Sequence, residues 1–252
     1  MTAVTRGRRR MFGPISNDTR GLGVTRHLVG GEGACRWKQL LNGMHLDGQW
    51  NCVEYVIIPP GCSCGEHLHA ETEEIYYIIS GSAVMHIDGK RRQVRGGDLI
   101  TTPIGTAHTI ANHGDEDMHF FVVEVFPGSK SGGGPEHIPI RERMTTRQVY
   151  RGAAQPVRLA RVDLTGYFTG DWHSFSVLEL PPGGSLGRYG LDDRVEVLLV
   201  TRGQSAAITV GDERLVGGPG LCVSAPALMP RQVENLSGDQ PLELISTEVL
   251  VG

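Results

Sequence analysis

The sequence repeats itself at an offset of 122 residues, and this duplication restricts the possible folds more than any other feature. The segment from Trp50 to Gly61 ends in Pro-Pro-Gly and matches the segment from Trp172 to Gly183. Further matches follow at the same offset or, after a one-residue insertion, one residue later: Glu74 with Glu196, Gly81 with Gly203, Gly89 with Gly211, Gly97 with Gly220, Pro103 with Pro226 and Asn112 with Asn235. The chain is therefore predicted to contain two copies of one structural unit in tandem.

Each copy has the pattern of an all-β unit. Short apolar runs such as "EEIYYIISG" and "VEVLLVTRG" are separated by glycine-containing turns. Several of these runs are apolar on both faces, which is typical of strands buried in a sandwich or barrel. The 35 glycines and 14 prolines among 252 residues agree with many short strands and tight turns.

Charge and cysteine content exclude several classes of protein. The net charge of −4 argues against a nucleic-acid partner. No apolar run reaches the roughly 18 residues that a membrane span needs, so we expect no membrane partner. Five cysteines at irregular spacing do not form a disulfide framework, which favours a cytoplasmic protein with a small-molecule substrate.

Four side chains in the first copy form a candidate metal site. His67 and His69 lie two residues apart and project to the same face of a strand, which is the interior of a barrel. Glu74 follows across a turn and His108 lies on a later strand. Three imidazoles and one carboxylate suit Fe(II), Mn(II), Ni(II), Cu(II) or Zn(II), and they leave room for substrate or dioxygen. Glu73, the alternative to Glu74 as the carboxylate ligand, is expected to point to the opposite face.

The two motifs that contain these residues resemble the signature motifs of the cupin superfamily. They are G-x5-H-x-H-x4-E-x6-G, from Gly61 to Gly81, and G-x5-P-x-G-x2-H-x3-N, from Gly97 to Asn112. With the repeat, the chain resembles a bicupin. The resemblance implies two tandem double-stranded β-helix (jelly-roll) barrels, with assembly into a homodimer left open. We place an N-terminal arm at 1–45, a metal-binding barrel at 46–128, a linker at 129–150 and a second barrel at 151–252.

The second copy is predicted to have lost its metal. Tyr189, Leu191 and Arg231 replace the three histidines, and only Glu196 remains. A leucine cannot bind a metal, and a buried carboxylate without a partner is costly. We therefore expect Arg231 and Glu196 to form an ion pair where the metal would be, with Tyr189 as a possible hydrogen-bond donor. The alternative is that Arg231 binds an anionic ligand.

Within the resembled superfamily, bicupins with one intact site look most like oxygen-using enzymes. This favours an Fe(II)-dependent dioxygenase that acts on a small aromatic, enolic or keto-acid compound, with Glu74 and Tyr76 as candidate catalytic residues. One alternative is a non-redox lyase, isomerase or cyclase. Another is a small-molecule-binding protein without turnover. His86 and His119 are candidate partners of the metal-binding imidazoles, and Cys62 and Cys64 are turn thiols, additional thiolate ligands or a redox pair.

Overall fold

The strands of the first half are short and closely spaced. The computed structural model describes residues 13–251, so the first part of the N-terminal arm predicted at 1–45 lies outside the described range. In chain order the strands are β1 (Ile15–Asn17), β2 (Gly23–Arg26), β3 (Ala34–Asn42), β4 (Trp50–Ile58), β5 (Ser63–Leu68), β6 (Glu73–Ser80), β7 (Ser82–Ile87), β8 (Lys90–Arg95), β9 (Leu99–Thr102), β10 (Ala107–Ala111), β11 (Met118–Val125) and β12 (Glu136–Ile138). Short 3-10 turns lie at Leu28–Gly30 and Gly43–His45.

The second half repeats this series after a 3-10 turn at Ile140–Arg143. Its strands are β13 (Thr145–Arg147), β14 (Val157–Asp163), β15 (Trp172–Leu180), β16 (Ser185–Tyr189), β17 (Arg194–Arg202), β18 (Ala206–Val210), β19 (Glu213–Gly217), β20 (Cys222–Ala225), β21 (Arg231–Asn235) and β22 (Leu242–Leu250). No helix in the range 13–251 has the length and apolar character needed to cross a membrane.

Each half consists of a seven-stranded and a four-stranded antiparallel sheet. In the first half the strand orders are β12-β9-β6-β11-β4-β3-β2 and β5-β10-β7-β8. In the second half they are β1-β20-β17-β22-β15-β14-β13 and β16-β21-β18-β19. Apolar side chains from both sheets of a half pack against each other and fill the interior between them. The predicted all-β fold of two tandem double-stranded β-helix barrels is confirmed.

Strand β6 shows why these sequences are apolar on both faces. Tyr76 and Ile78 point into the first barrel, whereas Ile75 and Tyr77 point into a cluster that the two halves share. Alternation along a strand gives each face its own core. The outer faces of the two large sheets therefore pack against each other, and the two barrels share a continuous apolar interface.

One edge strand ties the halves together further, and two others lie in the segment between them. Strand β1, from the start of the described chain, pairs with β20 of the second half, with Ile15 opposite Ser224. Strand β12 pairs with β9 of the first half, and β13 pairs with β14 of the second. The segment predicted as a linker thus contains an edge strand of each barrel.

Candidate metal centre

The three histidines of the predicted site come together at the end of one strand pair. His67 on β5 lies directly opposite His108 on β10, and their ring centroids are 4.3 Å apart. His69 follows β5 by one residue, with its ring centroid 5.0 Å from that of His67. The alternation of a strand places all three rings on the interior side of the small sheet.

Glu74 reaches the same point from the opposite sheet. Its Oε1 lies 3.2 Å from His69 Nε2, and its Oε2 lies 3.2 Å from His108 Nε2. One potential ligand atom from each of His67, His69, Glu74 and His108 lies within 4.8 Å of the others. The sequence-predicted set is therefore close enough for all four residues to bind one ion.

Hydrogen bonds orient the imidazoles for this role. The Nδ1 atom of His67 lies 2.9 Å from the carbonyl oxygen of Gly65, and that of His108 lies 3.1 Å from the carbonyl oxygen of Thr106. An Nδ1–H that donates to a carbonyl leaves the Nε2 lone pair free for a metal. His69 Nδ1 similarly lies 2.9 Å from the hydroxyl of Thr72, and its Nε2 is buried without a hydrogen-bond partner among the described residues. The donor set fits a divalent transition metal.

Burial sets the protonation states of these groups. It lowers the pKa of His67 and of His108 below the ordinary histidine value, which favours neutral imidazoles that can act as ligands. It also raises the pKa of Glu74 to about 8, although His69 opposes this effect. A cation held between the donors would stabilise the Glu74 carboxylate, because opposite charge lowers a carboxyl pKa.

Tyr76 lies beside the four donors. Its hydroxyl is 2.9 Å from His108 Nε2 and 3.4 Å from Glu74 Oε2. Burial raises the pKa of Tyr76 well above the ordinary tyrosine value, so the hydroxyl stays protonated and can donate a hydrogen bond. Its position in the interior follows from sharing parity with Glu74 on β6.

A cavity of about 350 Å³ opens beside the donors. Its lining combines apolar side chains with the carboxylates of Glu54, Glu74 and Glu124. The residues around it are Leu28, Val29, Glu54, Val56, Cys64, His67, Leu68, His69, Glu74, Tyr76, Phe120, Val122 and Glu124. The volume suits a small organic molecule that could approach a bound metal.

The sequence interpretation missed the two other acidic residues of this cavity, Glu54 and Glu124. Each is an isolated carboxylate in an otherwise apolar strand, and this pattern could have indicated a buried acidic residue. Glu124 lies opposite Glu74 in the β11–β6 pairing and accepts a hydrogen bond of 2.7 Å from Asn51 Nδ2. Burial and the neighbouring carboxylates of Glu124 and Glu74 raise the pKa of Glu54 to about 7.

Other candidates lie away from the donors. Glu73 points to the opposite face, as expected, and accepts hydrogen bonds from the Thr169 and Gly170 backbone and from Trp172 Nε1 across the interface. His86 is exposed, and His119 lies 2.9 Å from the hydroxyl of Tyr55. These two histidines lie away from the three imidazoles of the predicted metal site.

The two cysteines next to the site differ in exposure. Cys64 lines the cavity, and burial raises its pKa to about 12, so it is a thiol rather than a thiolate. Cys62 is half-buried in the preceding turn. Both are free.

The second barrel has an ion-pair cluster at the equivalent position. Arg231 Nε donates to Glu196 Oε2 at 3.0 Å, and both side chains are fully buried. Tyr189 donates to the same carboxylate oxygen at 3.0 Å and lies opposite Arg231 in the β16–β21 pairing, as His67 lies opposite His108. All three guanidinium nitrogens of Arg231 donate to protein oxygens, which leaves the alternative of an anion site without support.

A second arginine in this cluster was not predicted from the sequence. Arg151 NH1 donates to Glu196 Oε1 at 2.5 Å, and its NH2 donates to Glu248. Burial opposes ionisation of Glu196, but Arg151 and Arg231 lower its pKa to about 2. Arg151 lies between β13 and β14, in a segment with no regular pattern, so spacing alone could not place it.

Comparisons with known proteins agree with this architecture. Residues 54–124 match the family model of the cupin domain. The oxalate-binding protein of Thermotoga maritima is 35% identical over 97 residues, which are 38% of this chain and 80% of that protein. Among solved structures, YlbA from Escherichia coli has a TM-score of 0.74 at 14% identity, with 97% of this chain and 96% of that chain covered.

A second solved structure extends the comparison to a larger protein. The oxalate decarboxylase of Bacillus subtilis has a TM-score of 0.67 at 17% identity, with 94% of this chain and 75% of that chain covered. At such identities the two structural likenesses show a shared fold. With the matched domain, the 35% identical relative and the two barrels described above, the chain belongs to the cupin superfamily.

Proposed function

We propose that the first barrel is the site of a metal-dependent enzyme that acts on a small organic molecule. His67, His69, Glu74 and His108 would bind one divalent cation. The observation that carries this proposal is the convergence of the four donors, with every imidazole Nδ1 engaged elsewhere, beside a cavity of about 350 Å³. Bound there, a transition metal would supply Lewis acidity and, in the case of Fe(II), a place for dioxygen beside the substrate.

The protein's own residues would prepare the substrate for this chemistry. Val56, Phe120 and Val122 form an apolar wall that excludes water from the cavity. The protonated hydroxyl of Tyr76 can donate a hydrogen bond to an oxygen of the substrate. We propose an Fe(II)-dependent dioxygenase of an aromatic, enolic or keto-acid compound as the specific reaction.

A non-redox lyase, isomerase or cyclase is the second candidate. The acidic residue Glu54 favours it, because a carboxyl group with a pKa of about 7 can both accept and donate a proton near neutral pH. Glu54 lines the cavity beside Val56 and Val122 of the same sheet, where a substrate proton could be transferred. This candidate requires the same metal site and no consumption of dioxygen.

A third candidate is a binding protein without turnover, which the name of the Thermotoga maritima relative favours. We also propose a cytoplasmic location, because the five cysteines are free thiols and four of them are buried.

The test begins with the metal content of protein purified without added metal. We expect about one equivalent of a transition metal in the wild type and less than about 0.2 equivalents in His108→Ala. His86→Ala is the matched control, because His86 is exposed and away from the site. Wild-type protein that holds no transition metal, and takes up none from added Fe(II) or Mn(II), would refute the proposal.

Oxygen uptake then separates the candidate reactions. The Fe(II)-loaded protein is incubated with a panel of chelating aromatic, enolic and keto acids in an oxygen electrode, and His108→Ala provides the background rate. Uptake that depends on His108 supports the dioxygenase. Substrate conversion without oxygen uptake supports the proton-transfer enzyme, and binding without conversion of any compound supports the third candidate.

A further inference from the structure

The cavity of the first barrel has more negative than positive charge. Three carboxylates, Glu54, Glu74 and Glu124, lie on its surface. Within residues 13–251, no lysine or arginine is among the lining residues. A divalent cation at the metal centre would offset Glu74, which leaves Glu124 and Glu54 without a cationic partner among these lining residues. A positive charge beside Glu54 would favour its ionised form, because its pKa is raised to about 7. An uncompensated carboxylate in a partly buried site is costly, so the site has room for one further positive charge.

The second barrel carries counterparts of two of these residues, Glu74 and Glu124, whereas Ser176 stands at the position of Glu54. Glu196 lies opposite Glu248 in the β17–β22 pairing, as Glu74 lies opposite Glu124 in the β6–β11 pairing. There, the guanidinium of Arg151 bridges the two carboxylates, and its Cζ lies 4.5 Å from the centroid of the Tyr189 ring. In the second barrel, cationic groups thus satisfy both carboxylates: Arg231 also pairs with Glu196, and Arg161 and Arg194 also pair with Glu248.

The repeat identifies the residue of the first barrel that corresponds to Arg151. The offset of 122 places Arg151 on Val29, which lines the cavity. Both residues have a φ of 48°, which is rare for residues other than glycine. Each is followed by a glycine of positive φ, Gly30 at 78° and Gly152 at 64°.

The surroundings of these two turns are equivalent as well. A Cβ atom on Gly65 of β5 would lie 2.2 Å from the carbonyl oxygen of Val29. A Cβ atom on Gly187 of β16, at the same offset, would lie 2.5 Å from the carbonyl oxygen of Gly152. In both barrels the turn therefore packs directly on the strand that begins the small sheet. Where the second barrel inserts a guanidinium from this turn, the first barrel has a valine and a cavity.

From this internal comparison, we propose that the first barrel binds a substrate with a cationic group, a protonated amine or a guanidinium, directed at Glu124, with Glu54 on the same cavity surface. The proposal rests on the function proposed above and specifies the substrate class of the same site. The cationic group lies where the Arg151 guanidinium meets Glu248 in the second barrel, while another part of the substrate faces the metal that Glu74 would hold. A small dianion such as oxalate is a poor match for this cavity, because it would add negative charge beside Glu54 and Glu124.

Three probes of similar shape test the charge preference. Tyramine, tyrosol and 3-(4-hydroxyphenyl)propionate share a phenol and differ in a side chain that is cationic, neutral or anionic at about pH 7.5. Titration calorimetry uses the full chain loaded with Zn(II), which is redox-inactive and prevents oxidative turnover. We expect tyramine to bind at least ~10-fold more tightly than the propionate and more tightly than tyrosol. Oxalate is expected to bind more weakly than tyramine.

Two variants connect this preference to the residues. Glu54→Gln should reduce the preference for tyramine over the propionate by at least ~5-fold, whereas Glu142→Gln, at an exposed site, should leave it unchanged. Val29→Arg should place a guanidinium in the cavity and abolish tyramine binding while the zinc content stays at about one equivalent. Val29→Met is its control, because it adds a long side chain without charge and should keep most of the preference.

Each outcome supports or overturns the proposal. Equal or tighter binding of the propionate or of oxalate to zinc-loaded protein would overturn it, as would the absence of binding by all probes. An unchanged preference in Glu54→Gln would also overturn it, whether or not Val29→Arg folds. In these cases the zinc content of about one equivalent shows that the metal site, and with it the proposed function, is intact. Failure to hold zinc would instead refute both.

Discussion

Replacing Arg231 with methionine would test whether ion pairing stabilises the second barrel in place of a metal. Arg231 is fully buried and donates to Glu196 at 3.0 Å and to the carbonyl oxygens of Met229 and Ala225 at 2.8 and 3.2 Å. Methionine has a similar length but no donor. The substitution therefore removes one partner of a buried charge pair and leaves two carbonyl groups without this donor.

Breaking a buried pair by removing one partner costs about 3–5 kcal/mol. Arg151 remains on Glu196 in the variant, so we expect a value near the lower limit, about 3 kcal/mol. For a chain of this size each kcal/mol lowers the melting temperature by about 2–4 °C, which gives a decrease of about 6–12 °C.

The assay is thermal unfolding followed by circular dichroism, together with urea denaturation at neutral pH. Arg158→Met is the matched control, because Arg158 forms an exposed ion pair with Glu179, and its loss should cost less than about 1 kcal/mol. Both variants should keep the metal content of the wild type. A decrease for Arg231→Met of less than about 2 °C would refute the reasoning. Loss of substrate affinity with unchanged stability would instead favour an anion site at Arg231.

Three further outcomes are expected. The folded-state pKa of Glu196 is lowered to about 2, so the stabilisation of the fold by this carboxylate is complete above the ordinary value of 4.5 and decreases as pH falls towards 2. Between pH 6 and 3, the free energy of unfolding of Glu196→Gln, measured by urea denaturation, should fall by about 2 kcal/mol less than that of the wild type. Equal decreases would contradict this. Glu73→Ala should lower the free energy of unfolding by about 3 kcal/mol, because interface donors at Thr169, Gly170 and Trp172 lose their acceptor. Glu71→Ala, at an exposed position, is the control. Similar decreases for the two variants would show that Glu73 does not stabilise the interface. Gly65→Ala should weaken ligand binding and lower the melting temperature, since its Cβ would collide with Val29; unchanged calorimetric titrations would show that the turn adapts.

Local patterns in the sequence were sufficient to predict an all-β fold, and the resemblance to the cupin motifs added the two barrels and the convergence of the four donors. Alternation along β5 fixes the relative directions of His67 and His69, and the same rule separates Glu74 from Glu73. The repeat then predicts the pairing of Arg231 with Glu196, because these residues occupy the positions of two residues that converge in the first barrel.

The residues that escaped prediction depend on longer-range packing. Arg151 reaches Glu196 from a turn outside the regular strands, and no periodicity indicates which barrel opening such a turn covers. Glu124 contributes to the cavity through its register opposite Glu74, which requires knowing that β11 lies beside β6. The pairing of β1 with β20 across the two halves is of the same kind, because a three-residue strand carries too little pattern to identify its partner.

The way the edge strands connect the two halves has a practical consequence for dividing this protein into fragments. A cut between residues 129 and 135 would separate the first barrel from β12. It would also separate the second barrel from β1, which is an edge strand of that barrel's seven-stranded sheet. Each fragment would also expose the apolar sheet face that the other covers in the intact chain. Two such fragments are expected to aggregate when expressed alone and to recombine when co-expressed, which makes the chain a candidate for a split-protein reporter.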